Sequence, residues 1–173
     1  MIWPMILKRI FARQGSVATS LYGVIVASAR QEKFYAEWGV PDTVDGRFDM
    51  ISLHLFLLLD RLKGAGSDVE RTRQALTDAF FDDMDRSLRE MGVGDLSVGK
   101  KVRKMAEAFY GRVKAYAAAL ERGEGLEEAL RRNVHPGDDG ASVDALAAWV
   151  QEARGGLLRQ AVTDIIAGKV VFP

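Results

Sequence analysis

From Arg47 to Lys63 the chain reads RFDMISLHLFLLLDRLK, and its apolar residues point in nearly every direction around a helix. Phe48, Met50, Ile51, Leu53, Leu55, Phe56, Leu57, Leu58, Leu59 and Leu62 leave no wide polar face. A helix that is apolar all round must be covered by neighbours on every side. The segment falls short of the roughly 18 apolar residues a membrane span needs. It is rich in Leu rather than in β-branched residues, so a helix is expected and not a buried strand. The rest of the chain therefore has to supply a shell around it.

The remaining sequence divides into helix-sized pieces. Only four Pro occur, and Gly falls at intervals that suit helix ends: Gly15, Gly39, Gly64, Gly66, Gly92, Gly94, Gly123, Gly125, Gly155, Gly156 and Gly168. A first helix is expected from about Val17 to Phe34. Gly39-Val40-Pro41-Asp42 then makes a turn, because Pro41 cannot continue a helix and restricts Val40 as well. Asp42 or Thr43 is placed to cap there, and Asp45-Gly46 is a second turn signal. Thr72 to Met91 is amphipathic, with Leu76, Phe80, Met84, Leu88 and Met91 stepping by four, four, four and three. Gly92 suits its C-terminal cap.

Ser97 opens the cleanest stripe, through Val98, Val102, Met105, Phe109, Val113, Tyr116 and Leu120, with Asp95 or Ser97 as its cap. A short helix is expected near Leu126–Asn133, then a loop over His135–Gly140. Two last helices are expected near Val143–Ala153 and Leu157–Ile166, with the tail Val170–Phe172 packed on the body. The fold class is all-α: a compact helical domain, residues 17–173, of about six to seven helices around a central apolar helix. A basic segment, residues 1–16, precedes it.

Composition excludes several functions. The chain has 173 residues, enough for one domain with a sizeable core. Lys plus Arg equals Asp plus Glu at 24 each, so no global field draws in nucleic acid or an anionic membrane. Cys is absent, which removes disulfides, thiolate metal sites and Cys nucleophiles. Met1 to Gln31 holds Lys8, Arg9, Arg13 and Arg30 and no acid. That pattern reads both as a mitochondrial presequence and as a helix lying on a surface, a membrane surface included.

No catalytic group, metal site or cofactor is expected. His54 sits inside the apolar run and His135 in a loop, and a zinc site needs three or four ligands together. Asp82, Asp83 and Asp85 lack the Glu-x-x-His pairs of di-metal bundles. They are expected to pair along the helix, Asp82 with Arg86 or Asp85 with Arg89, with Asp83 and Asp85 able to reach a partner. Gly92-Val93-Gly94 with Gly99-Lys100-Lys101 lacks the phosphate-loop pattern and follows a helix. Lys100, Lys101, Arg103, Lys104, Arg112 and Lys114 share one helix with only Glu107 against them. This face suits the phosphates of RNA or an anionic surface, or simply solvent. The heavy aromatic load of residues 34–116 is mostly core. An apolar groove taking a partner helix would draw on Tyr35, Trp38, Phe48, Phe81, Phe109 and Tyr110.

Two blocks carry a more specific signal: FYAEWGVPDTVDGRFDMISLHLFLLLDRL at 34–62 and ALTDAFFDDMDRSLREMGVGDLSVGKKVRKMAEAFYGRVKAY at 75–116. With GVPDT, GRFD, DMD, REMGVGDLSVGKKV and FYGR in this order, and the ending AGKVVFP, the chain resembles the ubiquinol–cytochrome c chaperone family. The resemblance covers most of Leu21–Leu120; residues 121–166 share only its helical character. It implies an all-α, non-enzymatic chaperone that holds newly made cytochrome b for assembly of the respiratory ubiquinol–cytochrome c reductase. The lack of a long presequence implies a bacterial member, cytoplasmic or peripheral at the inner membrane. Eukaryotic relatives act with a small partner protein and at the ribosome. A ribosome- or RNA-binding module using Lys100, Lys101, Arg103 and Lys104 is the alternative.

Overall fold

The computed structural model describes the backbone of residues 3–134 and 140–173, and the side chains of 15–134 and 142–173. His135 and the side chains of Lys8, Arg9 and Arg13 lie outside the described residues. The described chain is helical without strands. The helices are α1 (Trp3–Ala29), α2 (Glu32–Ala36), α3 (Val44–Leu62), α4 (Ser67–Glu90), α5 (Asp95–Arg122), α6 (Leu126–Val134), α7 (Gly140–Arg159) and α8 (Val162–Ile165). Six have nine or more residues; α2 and α8 are single turns.

The apolar run becomes α3 and takes the central place. It packs against α1, α4, α5, α6 and α7, and Phe48 through Leu58 are all buried. Met50, Leu53, Leu55, Leu57, Leu58 and Leu62 are almost wholly removed from water. Each such side chain is worth about 1.5–3 kcal/mol, so this one helix organises the core. Its entry is set by the GVPDT turn. Thr43 caps α3 by accepting from Gly46 N at 3.1 Å, and Thr43 N donates to Pro41 O at 2.8 Å. Asp42 pairs with Arg47 at 2.8 Å across the turn.

Three boundaries depart from expectation. The first helix begins at Trp3, not near Val17, and Pro4 falls in the first turn, where a proline forfeits no hydrogen bond. It also ends sooner, at Ala29, and Phe34 sits on the separate turn α2. Tyr35 OH donates to Ala29 O at 2.8 Å and so satisfies a carbonyl at the end of α1. Gly155-Gly156 does not split the last helix. Ala153 and Leu157 are both buried, and Arg61 donates to Leu157 O at 2.8 Å and Gln160 O at 2.7 Å. That guanidinium closes the C-terminus of α7 and offsets its dipole.

The α4–α5 corner follows the expected Gly92 cap. Gly92 has φ 84°, Val93 N donates to Leu88 O at 3.0 Å, and Gly92 N donates to Arg89 O at 2.9 Å. This is a Schellman closure, open to a residue that tolerates the left-handed region. The expected cap of α5 by Asp95 or Ser97 does not form. Gly94 holds the cap position without a side-chain bond, and Asp95 instead pairs with Arg89. The tail packs as expected, with Val170 and Phe172 buried.

Candidate functional site

Two depressions lie between the start of α3, the end of α4 and the first half of α5. One, of about 490 Å³, is lined by Val44, Phe48, Asp49, Leu88, Met105 and Arg112 with Lys101 and Lys104 at its edge. The other, of about 320 Å³, shares Val44, Phe48, Leu88 and Met105 and adds Ile51, Met84 and Met91. Because they share four apolar residues, they form one groove. Val44 and Met91 are each more than half exposed along it. α3 supplies the floor because its entry turn leaves Val44 and Phe48 facing α4 and α5. Met84, Met91 and Met105 line the walls, and unbranched methionines repack easily around different partners.

A charge pair closes one side of the groove. Arg112 Nη2 lies 2.7 Å from Asp49 Oδ1, with both side chains largely buried. The guanidinium also sits over the Phe48 ring at 5.4 Å from its centre. Burial pushes the Asp49 carboxyl up to about 7, against the pull of Arg112. Arg112 is thus drawn inward and is not part of the outer basic face expected for α5.

The six apolar residues expected to share one groove are distributed over four places. Phe48 is in the groove. Tyr35 lies beside it, in a depression with Arg30, Glu32, Asp42 and Arg47. Trp38 stacks edge-on against Phe34, with Lys33 over both rings. Phe81, Phe109 and Tyr110 form an aromatic cluster with Phe80 between α4 and α5, and Phe80 in turn stacks on Phe48 at 5.7 Å between ring centres. Phe109 is buried there, and Tyr110 is exposed. Val44, Leu88, Met91 and Met105 were not singled out as partner-binding. Leu88, Met91 and Met105 read as core from their stripe positions; of the four, Val44 at the start of α3 and Met91 at the end of α4 are exposed.

The polar candidates also resolve. Asp83 accepts from Tyr22 OH of α1 at 2.8 Å and pairs with Arg86 at 2.6 Å. Burial and the Asp83 bond raise the Tyr22 phenol well above its usual range. Arg86 thus takes Asp83 rather than the expected Asp82, while Asp85 pairs with Arg89 at 2.6 Å as expected. Lys100, Lys101, Arg103 and Lys104 are exposed and make no ion pair among the described residues. No group of His, Asp or Glu suited to a metal ion occurs among the described residues. No described helix is long and apolar enough to cross a membrane.

His54 faces rings rather than a polar cleft. Phe34, Trp149 and Phe172 surround it at 5.6, 4.7 and 5.0 Å between ring centres. Its Nδ1–H donates to Met50 O at 2.8 Å, and burial pushes its pKa down to about 4. His54 and Asp49 therefore act oppositely on stability between about pH 4 and 7. The unfolded chain binds the His54 proton more readily, so His54 removes stability as pH falls through this window. The folded chain holds the Asp49 proton more readily, so Asp49 adds stability as pH falls through it. Each effect is on the order of 3 kcal/mol. His54→Leu is expected to leave a protein that loses stability as pH rises through the window, and Asp49→Asn one that loses it as pH falls. Urea unfolding across the range reads both slopes; parallel slopes in the two variants would refute the assignment.

The described fold is thus an all-helical body with an open, largely apolar groove between α3, α4 and α5. Comparison with known proteins gives the family. The ubiquinol–cytochrome C chaperone family model matches residues 36–172. The crystal structure of the Cbp3 homolog from Brucella abortus superposes with a TM-score of 0.87 at 40% identity, covering 100% of this chain and 97% of that one. The ubiquinol-cytochrome-c reductase complex assembly factor 1 of Xenopus laevis is 23% identical over 138 residues, 78% of this chain and 69% of the frog protein. The Mus musculus protein of the same description is 27% identical over 116 residues, 66% of this chain and 39% of its own length. This chain belongs to the ubiquinol–cytochrome c chaperone family. The match runs through residues 121–166, so the family likeness is not confined to the first 120 residues and the ending.

Proposed function

We propose that the protein is a non-enzymatic assembly chaperone that binds newly made cytochrome b on its way into the ubiquinol–cytochrome c reductase. In this reading an apolar helix of the client lies in the groove between α3, α4 and α5. The observation that carries it is the apolar groove lined by Val44, Phe48, Leu88, Met91 and Met105, along which Val44 and Met91 are more than half exposed. An amphipathic or membrane-bound helix lays its apolar face into such a groove. The chaperone works in a bacterial cell, at the cytoplasmic side of the membrane that houses the reductase.

Val44→Glu with Met91→Glu tests the site. Both side chains are more than half exposed, so the fold should be untouched. Charging two apolar contacts is expected to lower cytochrome b capture by about tenfold or more. Affinity pull-down of epitope-labelled cytochrome b, with assembled reductase measured in parallel, gives the result. Undiminished capture by the folded double variant would count against the groove.

A further inference from the structure

The corner between α4 and α5 carries a feature that the groove does not use. Leu96, in the first turn of α5, is fully exposed. It lies opposite the buried stripe of Val98 and Phe109, at the head of an outer stripe. Lys100 and Arg103 follow it at steps of four and three, and Glu107, Tyr110 and Lys114 continue the line. Tyr110 is also more than half exposed. Lys104 and Lys101 flank the stripe on the side toward the groove, where both line its edge. Arg89 is engaged by Asp85 and Asp95, which leaves the four cations of α5 without a partner at this end. Residues 89–104 hold five cations against two acids, a net charge of +3 in a chain whose total is zero.

We propose that the outer face of α5 docks on an anionic lipid surface, with Leu96 entering the interface and Lys100, Lys101, Arg103 and Lys104 meeting the headgroups. The pairing of chemistries selects the occupant. Cations near an anionic bilayer gain from its surface potential, while an exposed apolar side chain at a helix end gains only by leaving water. RNA would reward the cations but not Leu96, and the exposed ring of the stripe, Tyr110, stands about two turns beyond Arg103 rather than among the cations. Docking in this orientation also puts the groove mouth, through Lys101 and Lys104, next to the membrane surface.

Co-sedimentation with phosphatidylcholine vesicles, with and without phosphatidylglycerol, tests the surface using the whole chain. Binding is expected only to the anionic vesicles. Leu96→Asp should weaken it by about tenfold, and replacing Lys100, Lys101, Arg103 and Lys104 by Gln by about a hundredfold or more. Leu96 touches no core, so circular dichroism should not change. In Leu96→Trp the emission should shift to the blue on adding anionic vesicles and not on adding neutral ones. Binding that ignores Leu96→Asp, an unshifted Trp, or sedimentation with ribosomal RNA but not with vesicles would each overturn the proposal. The assay contains no client protein, so it reports on this surface whatever the groove holds.

Discussion

Arg112→Met is expected to destabilise the protein by on the order of 3–5 kcal/mol above neutral pH. The guanidinium faces Asp49 at 2.7 Å, and neither side chain has much contact with solvent. Taking away one member strands the other in the core as an uncompensated charge. The stranded carboxylate can escape only by taking up a proton, so the loss should shrink in mildly acidic solution. Removing both members is a different experiment. Asp49→Leu with Arg112→Met eliminates the desolvated charges together, and such replacements are often neutral or stabilising. Urea midpoints for the single and double variants decide the matter. A double variant no more stable than Arg112→Met would show that the two groups are not energetically coupled. Because the pair borders the groove, its geometry also fixes Phe48, whose ring lies under the guanidinium.

Gly46→Ala is the second large effect. A Cβ at this position would stand 1.9 Å from Pro41 O and 2.9 Å from Pro41 C, both backbone atoms. No side-chain rotation relieves such a contact; the turn itself would have to move. The loss is expected to be on the order of 3 kcal/mol, at or beyond the upper end for overpacking. Thr43→Ala, which removes only the capping bond to Gly46 N, should cost about 1 kcal/mol. Thermal unfolding of the two variants separates these mechanisms. Equal losses would mean that the close approach of Gly46 to Pro41 carries no special weight. The turn places Val44 and Phe48, so Gly46→Ala should also weaken client capture, whereas Thr43→Ala should leave it nearly intact.

The contrast between these two sites says what a sequence of this kind reveals. The central helix was legible because an all-round apolar run has one stable environment. The α4 and α5 stripes were legible because their spacing repeats over five or more positions. Gly46 was read as a turn signal, but its real constraint is contact with Pro41, five residues away, which spacing does not express. Gly155-Gly156 read as a break because glycine weakens helices locally. Burial of Ala153 and Leu157, with the bonds from Arg61, outweighs that preference. The Asp49–Arg112 pair joins positions 63 residues apart, and nothing local in either segment announces it.

The groove was hardest to anticipate. Aromatic residues drew attention as partner contacts, yet Phe109 packs inward and Trp38 joins the cluster around His54. Within the groove the exposed apolar surface falls to Val44 and Met91, at the ends of helices where coverage stops. Membership of a stripe predicts that a residue is apolar for a reason. It does not say whether the neighbour covering it belongs to the same chain.

Site-specific photo-crosslinking in cells making the reductase puts the client groove to the test. A photoreactive residue replaces Val44 or Met91 in the groove and, as a control, Leu158 on α7, which is similarly exposed. The groove positions are expected to give adducts with cytochrome b, and Leu158 none. Adducts of equal yield from Leu158, or none from Val44 and Met91 in a protein that still supports reductase assembly, would contradict a client-binding groove between α3, α4 and α5.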